Sequence, residues 1–216
     1  MTMRLVLMAY FPDAEELLTR GALATRSRAS MAGTRVTGAD VDRMVEAARR
    51  LRLSSVLDFP YYVVSIEGVS RAFTHQWVRY RVAAHMQQSL RYVEVDTSGA
   101  GWFVVPPSVC ERGPDAVARY VKACVEAGRR YGELLASGVP PEDARMVLPH
   151  GVKTHVASAF DAEEALHIIA QRTCLDAQWE IRTVSLALLA ALASVHPRIF
   201  RGAGPPCLSE GACRGS

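Results

Sequence analysis

The sequence predicts an α+β fold, a single mixed helix and sheet domain, on three observations. Helix-like and strand-like apolar patterns both occur, and they follow one another without the regular strand–helix alternation of a parallel α/β sheet. At 216 residues the chain suits one domain, or one protomer of an oligomer. Half of its residues are hydrophobic and 22% are charged, an ordinary globular composition that can bury about two thirds of the unfolded surface without staples.

Taken in order, Arg4–Tyr10 is apolar and β-prone and predicts a strand. Pro12 and Asp13 then open a helix running to about residue 25. Asp40 is placed to cap a helix that ends near residue 51. The aromatic and β-branched run 61–66 predicts a second strand, which Gly68 should end. Ser70 can cap a helix reaching toward residue 81. Residues 91–95 and 102–105 read as strands around a turn at 98–101, and Pro114–Ala136 reads as a long amphipathic helix. The stretch 147–157 is compatible with a strand or with a strand and loop. Asp161 and Glu164, three apart before an apolar stripe, form a capping-box pattern. A last helix spans about 176–193 and stops before Pro197. The expected domain is therefore residues 1–201, followed by a flexible tail over 202–216 rich in Gly, Pro, Ser and Cys.

Several function classes fall away on composition. Five scattered cysteines without a CxxC pair argue against a disulfide framework or a zinc cluster, and for a reducing, cytoplasmic setting. His75 and His85 stand ten apart, His150 and His155 five, which is not metal-ligand spacing. A net charge of +3 is too mild for nucleic-acid binding, but it suits a protein keeping arginines for small anions. The first apolar run is short and is followed at once by Asp13, Glu15 and Glu16, unlike a signal peptide. The run 181–195 carries Arg182 and is too short to span a bilayer, so it reads as a core helix and no membrane is expected.

Chemistry concentrates in residues 70–92, SRAFTHQWVRYRVAAHMQQSLRY. On a helix Arg71, His75 and Arg79 share a face, while Arg81 points about 160° away from Arg79. Apolar residues lie on all sides, so several guanidinium groups are drawn inward, where each needs a partner. Two opposed arginines suit two different anions, such as a nucleotide phosphate and a cofactor pyrophosphate, because the guanidinium fork matches phosphate oxygens. Gln87, Gln88, Ser89 and Arg91 add amide, hydroxyl and guanidinium contacts within five residues.

Arg79-Tyr80-Arg81, seven residues and then Ser89 resembles the Arg-His-Arg, seven residues, Ser signature of the flavin-dependent thymidylate synthases. SRAFTHQWVRYR is similar to that family's SRALTHQLVRHR, and RTCLDAQWEIR (172–182) resembles its second marker. RMVLP (145–149) resembles the stretch before its substrate-contacting strand. The resemblance implies FAD bound between subunits of a homotetramer, with methylenetetrahydrofolate supplying the carbon and NADPH the reducing equivalents. It implies nucleotide contacts from Gln76, Arg79, Gln87, Gln88, Ser89, Arg91, His155 and Arg182. It further implies flavin contacts from Ser55, Arg79, Tyr80, Arg81, Gln87, Arg172 and Asp176. Arg182 would face the uracil and stabilise negative charge that makes C5 nucleophilic. Ser89 is the other candidate catalytic residue, positioning rather than attacking, because no activating base stands beside it.

The residues alone leave other readings open: Ser55 as a helix cap, Arg172 as a partner of Glu163 or Glu164, His167 as a packing histidine, and Cys174 and Trp179 as core. The chain also departs from the family. Tyr80 replaces the signature histidine, Phe59 and Leu53 replace two more, and His155 falls where an arginine usually contacts the nucleotide. Asp161, Glu163 and Ala170 differ too. Changed surroundings around retained arginines lead to the expectation of a C5-methylase acting on UMP or dUMP, serving nucleoside antibiotic synthesis. A dUMP-specific thymidylate synthase and a non-catalytic flavin or nucleotide binder are the alternatives.

Overall fold

The computed structural model describes residues 2–51, 53–209 and 211–212. In chain order the elements are β1 (Arg4–Tyr10), α1 (Ala14–Ala24), α2 (Gly38–Arg50), α3 (Ser54–Leu57), β2 (Tyr61–Ser70), α4 (Arg71–Trp77) and β3 (Ala84–Gln87). There follow α5 (Pro107–Glu111), α6 (Pro114–Ala136), α7 (Pro141–Ala144), a 3-10 turn (Arg145–Val147), β4 (Lys153–Asp161), α8 (Ala162–Arg172), α9 (Trp179–Val195) and α10 (Pro206–Ser209). The strands form one sheet in the order β1-β2-β4-β3, so the architecture is the expected helix and sheet mixture. The chain divides into two compact units. One holds residues 2–4, 66–77 and 86–156, the other the remaining described residues.

The first unit is built on α6, whose start combines Gly113 at φ 89° with Pro114, where the missing N–H has no partner to lose. The helix buries Cys124 with Leu90, Trp102, Phe103 and Val152. Gly128 on the same helix lets Trp102 approach, since a Cβ there would meet its ring at 2.8 Å. The two strands expected at 91–95 and 102–105 do not form. Their backbone groups go elsewhere: Val95 N–H donates to the Tyr131 hydroxyl (3.2 Å), Val104 N–H to the Gly151 carbonyl (2.8 Å), and Lys153 N–H to the Trp102 carbonyl (2.8 Å). Only Phe103 makes an isolated bridge, to Val152.

Gly68 does not end its strand. It sits inside β2 at φ 68°, where a Cβ would come within 2.6 Å of the Thr2 carbonyl oxygen. The strand thus runs to Ser70, whose hydroxyl accepts from Phe73 N–H (3.0 Å), as expected of a cap. The following helix stops at Trp77, four residues short of expectation. Past that point the Tyr80 carbonyl bonds the His85 ring (3.1 Å), whereas an ongoing helix would have given it to a backbone N–H. Arg79 and Arg81 therefore do not share a helix with Arg71 and His75.

In the second unit α2 is capped by Thr37, not by Asp40. Asp40 is the reciprocal partner, accepting from Thr37 N–H at 2.9 Å. Asp161 caps α8 as expected, accepting from Glu164 N–H at 2.7 Å. Ala165, Ile168 and Ile169 of α8 pack in the core alongside Ile181, Val184, Leu188 and Leu192 of α9, both sets at helical spacing. Buried Glu15 accepts from the Arg198 N–H (2.7 Å) and the Ile199 N–H (3.1 Å), anchoring the chain after α9. Where a flexible tail is expected, Pro206–Ser209 form the short α10. Residues 210 and 213–216 of that tail lie outside the described residues.

Candidate active site

The main cleft, about 1050 Å³, belongs to the second unit. One stripe of α8 faces it (Glu163, Leu166, His167, Ala170 and Gln171), while the opposite stripe packs in the core. Arg172 at the end of α8 joins them, with Cys174 and Asp176 from the following turn and Glu46, Arg49 and Arg50 from α2. Leu57, Ala177, Pro205 and Pro206 supply apolar wall. The volume lies at the top of the range for small-molecule sites, roughly 300–1,000 Å³. Burial and the charge of nearby Arg201 both push the Arg49 pKa down, against the pull of Glu46. An anion in the cleft would favour the charged guanidinium.

Tyr80 is the best-held side chain beside this cleft. It is 6% exposed, and its hydroxyl accepts from Arg172 Nε at 2.7 Å while donating to Gln171 Oε1 at 3.1 Å. The guanidinium lies 5.6 Å from the ring centroid, and His167 meets the ring edge-on at 5.9 Å. Burial raises the Tyr80 pKa, outweighing Arg172, so the phenol is protonated at neutral pH and can donate. His85 holds the backbone below. Burial pushes its pKa down, so it is neutral. Its Nε2 must carry the proton to meet the Tyr80 carbonyl, leaving Nδ1 to accept from the Ser158 hydroxyl (2.9 Å).

In the first unit β3 runs into a turn that carries the expected nucleotide residues. Gln87 Nε2 donates to Thr74 Oγ1 (2.8 Å), and Gln88 N–H to the His155 carbonyl (3.1 Å). The Ser89 hydroxyl accepts from Arg91 N–H (3.3 Å), and its carbonyl accepts from Tyr92 and Val93 N–H, closing the turn. Arg91 Nε pairs with Glu142 at 2.7 Å. Half-buried Arg71 donates to the Gln88 carbonyl (3.3 Å) and Arg145 to the Glu142 carbonyl (3.0 Å). Burial and the charge of Arg145 lower the Arg71 pKa. A smaller pocket, about 240 Å³, is lined by Gln88, Leu90, Trp102, Lys153, Thr154 and His155.

The structure thus brings Gln87, Gln88, Ser89, Arg91 and His155 together, with half-buried Gln76 on α4 of the same unit. Separately it gathers Tyr80, Arg172 and Asp176 at or beside the cleft. Arg79 and Arg81 are exposed. Arg182 donates to the Leu175 carbonyl at 2.7 Å, across the turn that carries Asp176. Ser55 is exposed inside α3, whose N-cap is Leu53, so it caps nothing and does not line the cleft. His167 is exposed on the cleft side of α8 and is not a packing histidine. Cys174 lines the cleft as well. Arg49, Arg145 and Gln171 escaped sequence reasoning. Only Arg145 had a signal, its place at the head of RMVLP.

Residues 6–198 match the family model described as thymidylate synthase complementing protein. The chain is 36% identical over 209 residues to the flavin-dependent thymidylate synthase of Sulfolobus acidocaldarius, covering 95% of this chain and 78% of that one. It is 37% identical over 218 residues to the Geobacter sulfurreducens enzyme of the same name, with 98% and 90% covered. Among solved structures, the fold resembles the UMP/dUMP methylase PolB from Streptomyces cacaoi bound with 5-Br dUMP. The TM-score is 0.83 at 18% identity, over 92% of this chain and 93% of that one. It also resembles ThyX from Helicobacter pylori with FAD and dUMP, at TM-score 0.73 and 20% identity over 93% and 98%.

Proposed function

The chain belongs to the flavin-dependent thymidylate synthase family, and from that premise we propose that it methylates C5 of uridine monophosphates, UMP as well as dUMP. The observation that carries this reading is the retention of Arg79, Arg81, Ser89, Arg91, Arg172 and Arg182 inside a family match spanning residues 6–198. The helical pattern draws several of these guanidinium groups inward, but Arg79, Arg81 and Arg91 are exposed and only Arg172 and Arg182 are half-buried, so the support lies in charges left accessible to anions.

The cleft of the second unit fits FAD in kind. It offers cations for a pyrophosphate in Arg49, Arg50 and Arg172, and apolar wall for a flat ring. When bound, FAD takes reducing equivalents from NADPH and supplies the hydride that turns the transferred one-carbon unit of methylenetetrahydrofolate into a methyl group. Arg172 and Asp176 would hold it, with Tyr80 behind Arg172. In the first unit Gln87, Gln88, Ser89 and Arg91 would fix the nucleotide. Arg182 would balance negative charge on the uracil, and Ser89 would hold the pyrimidine in place. The same assignment includes assembly as a homotetramer.

The changes at Tyr80, Phe59 and His155 favour a role in making a thymine-type base for a nucleoside antibiotic. One observation favours the narrower reading, action on dUMP alone. The relatives at 36–37% identity are thymidylate synthases, whereas the UMP/dUMP methylase is similar only in fold.

Tritium release from C5-labelled UMP and dUMP, with FAD, NADPH and methylenetetrahydrofolate, separates these. Release requires bond formation at C5, so it reports chemistry and not binding. Comparable release from both supports the proposal, and release from dUMP alone makes the chain a thymidylate synthase. No release from either, with flavin bound, makes it a non-catalytic binder.

A further inference from the structure

Arg172 holds an unusual pair of commitments. Its Nε is taken by the Tyr80 hydroxyl at 2.7 Å, and among the described residues its two terminal nitrogens carry no hydrogen bond. The same hydroxyl donates to Gln171 Oε1 at 3.1 Å, and the guanidinium carbon lies 5.6 Å from the ring centroid. The arginine ends α8, so it would otherwise be a long side chain free to swing, with rotamer entropy to lose on binding. A buried phenol gripping Nε removes most of that freedom in advance, and the outer fork of the guanidinium stays available to the cleft it lines.

We propose that Tyr80 is a positioning residue that holds Arg172 through Nε, so that its two terminal nitrogens are presented as a fixed fork to an oxygen acceptor of the bound flavin nucleotide. This rests on the functional reading above and adds the role of a residue that departs from the family's motif. A phenol suits the task better than imidazole near neutrality. Its single oxygen accepts from Arg172 and donates to Gln171, and unlike imidazole it takes on no positive charge in mild acid that would repel the guanidinium.

The test is flavin affinity of the full chain, by fluorescence titration with FAD, for the unaltered protein, Tyr80→Phe, Arg172→Ala and the double variant. Tyr80→Phe keeps the ring and the packing. It should weaken FAD binding about tenfold or more, the usual size for losing a bond to a charged group. In the Arg172→Ala background the same change should do little, because the effect runs through Arg172. Tyr80→His adds a readout that packing alone would not move. Neutral imidazole can accept from Nε, so affinity should recover above its pKa, near 6.5, and fall below it as the ring charges. The groups facing this position are Arg172, Glu164 and His167 of α8, with His85 on the backbone. They are common to both proteins, so the difference between the two pH profiles reads position 80. Unchanged affinity in Tyr80→Phe, or the same loss with Arg172 already absent, overturns the assignment. An unaltered protein that binds no FAD overturns the functional reading itself.

Discussion

Arg182 and Arg172 lie ten residues apart, yet the structure employs them differently. Arg172 is gripped from behind by a buried phenol, whereas half-buried Arg182 is tied to the Leu175 carbonyl in the turn between α8 and α9. The second tether is to a backbone atom of an exposed residue, so replacing Arg182 removes little packing. Arg182→Ala is expected to bind FAD as the parent does and to lose methylation by about a hundredfold or more, the usual scale for removing a charge-stabilising donor. Tritium release and flavin titration on the same preparation measure both, and full activity in this variant rules out its role on the uracil. Arg91 is a contrast at this scale. Its pairing with Glu142 is half-exposed on both sides, and such pairs contribute about 0–1 kcal/mol, little enough for a phosphate to compete.

Among elements, β2 and α4 show how a single backbone position redirects a segment. Gly68 turns through φ 68° without ending its strand, and no other residue type fits so close to the Thr2 carbonyl. Gly68→Ala combines positive-φ strain with a 2.6 Å clash against backbone. It is expected to cost roughly 2 kcal/mol or more, read as a lower urea midpoint at unchanged slope. The helices divide by where their termini are decided. Pro114–Ala136 is bounded by its own Gly113 and Pro114, and α8 by its own Asp161, so both are visible in sequence. The end of α4 at Trp77 carries no such local mark, and the lost strands at 91–105 are decided by acceptors on α6 and at 151.

Across the whole molecule, stability in acid should follow carboxylates held by hydrogen bonds and arginines. Asp40, held by Thr37 and Arg43, falls from 3.8 to about 2. Glu126, held by Arg129 and Arg130, falls from 4.5 to about 2. Both are depressed in the fold, so their contribution is complete above about pH 4.5 and is lost as pH falls toward 2. Asp161 and Glu164 act oppositely, because burial raises them and their ionisation on going up in pH costs stability. The urea midpoint is expected to drop from pH 5 to pH 2, less steeply in an Asp40→Asn, Glu126→Gln double variant. An equal slope in that variant would mean that other groups govern acid unfolding.

By itself the sequence determined what depends on neighbours along the chain. The α+β mixture, β1, the long α6, the Asp161 cap, and the arginine and glutamine motifs that place the chain in its family all rest on short-range patterns. Caps, periodicity and motif spacing act within a few residues, so they are legible without the fold. The tertiary structure alone decided that Tyr80 meets Arg172, because those residues are 92 positions apart and nothing local marks the pair. It also decided that His167 faces a cleft and not the core, that Thr37 caps α2 with Asp40 in support, and that residues 203–207 line the cleft where a loose tail is expected. In each of these cases the deciding partner is a side chain or backbone group chosen by packing, and packing is settled only when distant segments meet.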